Sequence, residues 1–164
     1  MAETISSSAA GQARQELILT RILRAPRSLV FGAWTDPKHL ARWWGPRGFT
    51  TTTYSMDVRP GGEWRFVMPG PDGTDSKNRI VYLEVDEPER LVYDHFGEEG
   101  DEKEKFQTTV TFLDRGTTTE VVMRALFPTA AAREFAAEKH GAIEGGKQTL
   151  ERLAESLGSG SVKD

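Results

Sequence analysis

The sequence lacks cysteine altogether across its 164 residues. This absence excludes a disulfide framework, thiolate catalysis and any zinc or iron–sulfur centre with cysteine ligands. A surplus of positive charge is also missing, because 21 Lys and Arg residues stand against 25 Asp and Glu residues, for a net charge of -4. We therefore predict no nucleic-acid partner, since no basic excess is present to neutralise phosphates.

Long apolar runs are absent as well. No stretch approaches the roughly 20 apolar residues that a membrane span needs, and the N-terminal segment has neither the basic nor the apolar part of a secretory signal. These observations predict a cytoplasmic protein without a membrane span. The length suits one domain, which we place at residues 16–157, between a disordered leader (1–15) and a flexible tail (158–164) rich in small polar residues.

The patterns that are present predict strands, turns and a few helices. Glu16–Arg24 is aliphatic and β-branched, which predicts a strand. Two short helices follow, the first opened by Pro26 and the second capped by Asp36. An apolar period of 3.6 residues predicts one long helix from Thr129 to Leu157. Between these helices lie six predicted strands: Phe49–Val58, Gly62–Met68, Arg79–Val85, Leu91–Phe96, Phe106–Leu113 and Thr118–Phe127.

Glycines interrupt the period of the long helix. We expect them to allow either a kink or the close approach of a neighbouring element. They are Gly141, Gly145 and Gly146.

Strands in this order predict an antiparallel meander with the first strand added at an edge. The long helix has to cover the apolar face of that sheet. Because a helix about 10 Å wide does not fill the hollow of a curved sheet, we expect a cavity between the two.

Six segments carry a resemblance to a known family. They are AWTDP (33–37), WWGPRGF (43–49), DVRPGGEW (57–64), PERLVY (88–93), TVTF (109–112) and GAIEGGKQTLERL (141–153). As an ordered set they resemble the START and birch-pollen-allergen superfamily, also called SRPBCC. Within it, they are most similar to the family homologous to the C-terminal domain of the activator of heat-shock protein 90 ATPase.

This resemblance implies an α+β helix-grip fold, in which a curved antiparallel sheet wraps around a long C-terminal helix and two short helices follow the first strand. Superfamily members bind lipids, sterols, hormones or polyketides, and some act as cyclases or aromatases. The resemblance therefore implies a small hydrophobic or amphipathic ligand, lipid-like or polyketide-like, and no cofactor.

The candidate ligand-binding residues are those that strand parity places on the inner face, with one residue from the helix. Polar contacts are predicted from Tyr82, Tyr93 and His95. Apolar walls are predicted from Trp64, Phe66, Met68, Phe112, Met123 and Ile143. A parity error of one residue would reverse any of these assignments.

Two titratable residues leave the chemistry open. His95 shares parity with Tyr93 and is either a satisfied core histidine or a polar anchor or proton acceptor facing a ligand. Glu84 shares parity with Tyr82 and enters the cavity, unless it lies wet at the end of the sheet or the parity is reversed. No catalytic residue is assigned. The alternatives to ligand binding are a cyclase, dehydratase or hydrolase that uses His95 or Glu84, and a chaperone co-regulator or interaction module.

The remaining histidines and the tryptophans point to structural roles. His39, His95 and His140 form no short-spaced pair, so no metal site is predicted. Trp34 and Trp64 are expected in the core, and one ring of the Trp43-Trp44 pair is expected at the cavity mouth. A homodimer remains an open alternative.

Overall fold

The computed structural model describes residues 15–73, 75–96, 105–139 and 141–163. The predicted leader up to residue 14, most of the charged loop before Lys105, and His140 lie outside these ranges. The residue limits proposed for leader, domain and tail therefore stay predictions.

Seven strands form a single sheet. Their spatial order is β1-β7-β6-β5-β4-β3-β2, with every neighbouring pair antiparallel. The predicted meander, with the first strand added at an edge beside the last, is confirmed. The strands are β1 (Glu16–Leu23), β2 (Thr52–Met56), β3 (Glu63–Pro69), β4 (Asp75–Asp86), β5 (Arg90–Phe96), β6 (Phe106–Asp114) and β7 (Thr119–Leu126).

Four helices cover the inner face of the sheet. They are α1 (Arg27–Thr35), α2 (Pro37–Trp43), α3 (Ala130–Lys139) and α4 (Ala142–Lys163). Side-chain oxygens cap two of them: Asp36, as predicted, accepts from the Lys38 amide at 2.9 Å, and Thr129 accepts from the Ala132 amide at 3.0 Å. The predicted helix-grip arrangement of curved sheet and C-terminal helix is confirmed.

The long C-terminal helix differs from its prediction, because two helices replace one. The interruption falls at Gly141, whose φ of +60° is a left-handed conformation that residues with a side chain rarely adopt. Gly146 has the second role predicted for these glycines, which is to allow the close approach of a neighbouring element. A Cβ atom built there would clash with the end of the Leu19 side chain, so the absence of a side chain lets α4 lie directly on β1.

A β-bulge in β4 decides which of its side chains face the core. Tyr82 stands opposite Tyr93, but Glu84 stands opposite Val92, so Leu83 is an extra residue in the ladder. An extra residue reverses the alternation of faces for the residues that follow. Tyr82 therefore faces inward, while beyond the bulge Val85 packs against the core and Glu84 turns outward.

Candidate functional site

One end of the inner face is filled by a cluster of aromatic rings, here called the aromatic cluster. It brings together Trp34, Trp43, Trp44, Trp64, Phe66 and Phe112, all buried. Most contacts are edge-to-face, with centroids 4.6 Å apart for Trp34 and Trp43 and 5.0 Å apart for Trp44 and Trp64. Such geometry suits the ring quadrupoles and gives a rigid wall.

The indole N–H groups show how this wall is held. Trp43 Nε1 donates to the Ala33 carbonyl at 3.1 Å, and Trp64 Nε1 donates to Thr53 Oγ1 at 3.0 Å. Trp34 and Trp64 lie in the core, as predicted. Both rings of the Trp43-Trp44 pair are buried too, so the expectation that one of them borders an opening is wrong. The edge contacts among the rings draw both into the interior.

A different environment surrounds His95, which borders the aromatic cluster at Phe66. His95 Nε2 lies 2.9 Å from Asn78 Oδ1, and the imidazole ring packs against Phe106 and Phe66 with centroids 4.9 and 6.1 Å away. We call His95, Asn78 and Phe106 the histidine patch. All three are half-buried, unlike the aromatic cluster.

The hydrogen bonds of the histidine patch fix the tautomer of its imidazole. Asn78 Nδ2 donates to the Ser76 carbonyl at 3.0 Å, which orients the amide so that Oδ1 is the acceptor toward His95. His95 Nε2 must then carry the proton and donate it. In a neutral imidazole, Nδ1 is left with its lone pair. Among the described residues, Asn78 is the sole hydrogen-bond partner of the ring.

Burial among aromatic rings determines the charge of this imidazole. Desolvation lowers the pKa of His95 from 6.5 to about 4, so the ring is neutral at physiological pH. Burial also raises the pKa of Tyr82 and Tyr93, which keeps both hydroxyls protonated. The inner face therefore presents uncharged polar groups in an apolar surface.

The nine predicted ligand-binding residues fall into two groups that differ in burial. The fully buried group is Trp64, Phe66, Tyr82, Tyr93 and Phe112. The half-buried group is Met68, His95, Met123 and Ile143. Met68 and Met123 pack against the buried core. Whether these residues bind a ligand stays a prediction.

Glu84 does not enter the interior. Because of the bulge at Leu83, its carboxylate faces outward and accepts from Arg90 Nε at 2.8 Å and Nη2 at 2.9 Å. These hydrogen bonds lower the pKa of Glu84. The carboxylate–histidine pair that sequence parity allowed is therefore not formed.

Asn78 is the residue that the sequence analysis missed. The strand was predicted to begin at Arg79, whereas β4 begins at Asp75. The alternation of Ser76, Asn78, Ile80 and Tyr82 was the available signal, because these positions share one face of the longer strand.

The described residues lack two further features. No group of three or more His, Cys, Asp or Glu side chains there could hold a metal ion. No helix in the described ranges is long and apolar enough to cross a membrane.

Comparison with known proteins extends this picture. A family model described as "Activator of Hsp90 ATPase homolog 1-like protein" matches residues 24–158. The chain belongs to this family. No curated protein matches the sequence.

Solved structures similar to this member of the Activator of Hsp90 ATPase homolog 1-like family come from several bacteria. A protein from Arthrobacter aurescens is 24% identical with a TM-score of 0.84, over 90% of this chain and 88% of that chain. One from Nitrosomonas europaea is 25% identical with a TM-score of 0.79, over 90% and 96%. One from Mycobacterium smegmatis is 24% identical with a TM-score of 0.80, over 89% and 92%. These likenesses show a shared fold.

Two of the segments that carried the family resemblance meet in space. Arg152, on α4, donates to the carbonyl groups of Gly45 at 2.8 Å and Phe49 at 3.1 Å, in the WWGPRGF segment. Gln148 Oε1 accepts from the Arg47 amide at 3.1 Å. In this family member, α4 is thus fastened to the loop that follows α2, beside the aromatic cluster.

Proposed function

We propose that this protein binds a small hydrophobic or amphipathic molecule, lipid-like or polyketide-like, between the inner face of the sheet and α4. Family membership supports the proposal, because proteins with this fold often bind small ligands. The half-buried Met68, Met123 and Ile143 support it too, since apolar side chains that are neither closed in nor fully exposed suit the wall of a ligand site. We further propose a cytoplasmic location.

The observation that carries the proposal is the neutral imidazole of His95. Its Nε2–H is used by Asn78, so Nδ1 can accept a hydrogen bond from a ligand. The surrounding Phe66 and Phe106 rings favour an apolar ligand body over a charged one. The ligand class that fits best is an uncharged amphipath with a hydroxyl group. In this scheme, His95 is the anchor, Tyr82 and Tyr93 add polar contacts, and the six apolar residues predicted from the sequence provide the walls.

An enzyme that uses the same site is the second candidate. A cyclase, dehydratase or hydrolase needs a group that accepts a proton, and His95 is unprotonated at neutral pH, although a pKa of about 4 makes its imidazole a weak base. Glu84 cannot assist, because it bonds to Arg90 on the outer face. If a reaction occurs, His95 would be its base.

The experiment begins with native mass spectrometry of the freshly purified protein and extraction of any retained molecule. Naphthol and naphthalene, which differ by one hydroxyl, are then titrated by calorimetry. We expect His95→Leu to weaken naphthol binding by about tenfold and to leave naphthalene binding unchanged. His39→Leu, a control on α2 away from this site, should change neither.

The proposal fails if no molecule is retained and neither probe binds the unmodified protein. It also fails in its assignment of His95 if His95→Leu weakens both probes equally. Asn78→Leu separates folding from binding, because it frees the imidazole while retaining His95. That variant should reduce the preference for naphthol over naphthalene. A retained molecule that is converted to a product would favour the enzyme.

A further inference from the structure

The first strand leaves one edge of the sheet unpaired within the described residues. β1 pairs with β7 along its whole length, and the Gln15 carbonyl accepts from the Phe127 amide at 2.9 Å. In an antiparallel ladder, alternate residues bond to opposite sides. The odd-numbered residues therefore bond to β7, and the backbone N–H and C=O groups of Ile18, Thr20 and Ile22 face away from it.

A groove of about 390 Å³ runs along this edge, between β1 and α4. Ile18, Leu19, Thr20 and Arg21 form one side of it, and Glu144, Lys147, Leu150 and Glu151 form the other. Ile18 is 52% exposed and Ile22 62%. A regular strand with free backbone groups and exposed isoleucines is a template for another strand.

The other edge of the sheet does not share these properties. β2 has five residues, and its register shifts between Thr53 and Ser55. β1 has eight residues and pairs without a shift. Irregular, short edge strands resist pairing, so β1 is the edge suited to it.

The order of side chains on the outer face of β1 identifies the occupant. Read along the chain, the exposed part of this face carries an isoleucine, a threonine and an isoleucine: Ile18, Thr20 and Ile22. Reversed and laid beside itself, this series places isoleucine against isoleucine. We propose that β1 pairs antiparallel with β1 of a second copy of this chain, about a two-fold axis at Thr20.

The groove adds charge complementarity on the inner side. In this register, Arg21 of the second copy lies opposite Leu19, which contacts α4 at Gly146. Glu144 and Glu151 on the groove wall are then placed to receive that guanidinium. The ladder ends near Glu16, because its carbonyl already accepts from Arg133 Nε at 3.0 Å. The interface is therefore centred on residues 18–22 and joins the sheets of two copies into one.

The oligomeric state of the full chain tests the proposal. Sedimentation analysis over a concentration series should show a monomer–dimer equilibrium, which Thr20→Pro weakens by more than about tenfold. The Thr20 amide makes no bond to β7, so proline there should leave the monomer folded. Ile22→Lys should also weaken the dimer. Tyr54→Lys, on the other edge strand and 72% exposed, is the matched control and should not.

Single cysteines test the register, because the chain has none of its own. Opposed residues of a hydrogen-bonded pair have Cα atoms about 5.5 Å apart, which a disulfide spans. Thr20→Cys should therefore cross-link to itself under oxidation. Ile18→Cys should not, because its two copies are about 13 Å apart along the strands. Mixed Ile18→Cys and Ile22→Cys chains should cross-link to each other. A monomer at every concentration, or equal cross-linking by Thr20→Cys and Ile18→Cys, overturns the proposal.

Discussion

The aromatic cluster and the histidine patch lie on the same concave face, yet they differ in burial and in hydrogen bonding. In the aromatic cluster, Trp43 is 0% exposed and Trp64 1%, and both indole N–H groups are satisfied within the fold. In the histidine patch, His95 is half-buried, and its single hydrogen bond within the described part of the chain leaves one ring nitrogen unused there. The first region is closely packed without any other molecule, although Trp34 Nε1 is buried there with no hydrogen-bond partner among the described residues. The second retains the capacity to bind one, and this contrast separates stability from recognition along one face.

Removing a ring from the aromatic cluster should have the largest effect on stability. Trp43→Ala leaves a cavity and an unpaired Ala33 carbonyl, so we expect the free energy of unfolding to fall by about 3–5 kcal/mol. Urea denaturation followed by circular dichroism measures this loss. Tyr54→Ala, on the exposed part of β2, should cost less than about 0.5 kcal/mol. A loss at Trp43 as small as that at Tyr54 would contradict the complete packing of the cluster.

The histidine patch should affect how stability depends on pH. The unfolded chain binds the His95 proton with a pKa near 6.5 and the folded chain with a pKa of about 4, so acid favours unfolding between these values. The contribution of His95 to stability is fully present above pH 6.5 and is lost as the pH falls toward 4. Discounted for partial exposure, the loss is about 2 kcal/mol.

Denaturation of the unmodified protein and of His95→Gln across this range checks the size and sign of the effect. The variant should lack this component of the pH dependence. The control His39→Gln, on α2, should retain it. A profile for His95→Gln that parallels the unmodified protein would show that the imidazole is solvated and that the two regions differ less than described.

Substituting Glu84 should have the smallest effect on stability, although sequence parity predicted that its side chain enters the cavity. Glu84→Gln removes an exposed ion pair with Arg90, and we expect no measurable change in stability because such pairs are screened by solvent. Ligand affinity should not change. A large effect on ligand binding in calorimetry would mean that the carboxylate reaches the inner face and that the bulge at Leu83 does not hold in solution.

Much of the fold was predictable because it depends on local patterns. The Asp36 and Thr129 caps, and the alternation that makes β3 a strand, act over a few residues. The bulge at Leu83 was not predictable, because it depends on the register that β4 adopts against β5. Its consequence was large: one extra residue moved Glu84 to the outer face.

The candidate site also has features that the sequence predicts and features that only the structure shows. His95 was identified from strand parity, which is local. Its tautomer required Asn78 and Ser76, whose roles come from their position on a neighbouring strand. The break at Gly141 had a sequence signal, but glycine permits a turn without requiring one. Pairwise geometry across the sheet therefore supplied what residue patterns could not.

The close contact at Gly146 has a mechanical consequence for α4. The helix rests on Leu19 at that point and is tied by Arg152 to the Gly45 carbonyl roughly 9 Å further along its axis. Two contacts this far apart along one helix constrain both its position and its tilt. The N-terminal segment of α4 follows Gly141, a residue of positive φ, and Gly145 in that segment lies against Pro46. The helix is therefore held against β1 on one side and against the loop after α2 on the other.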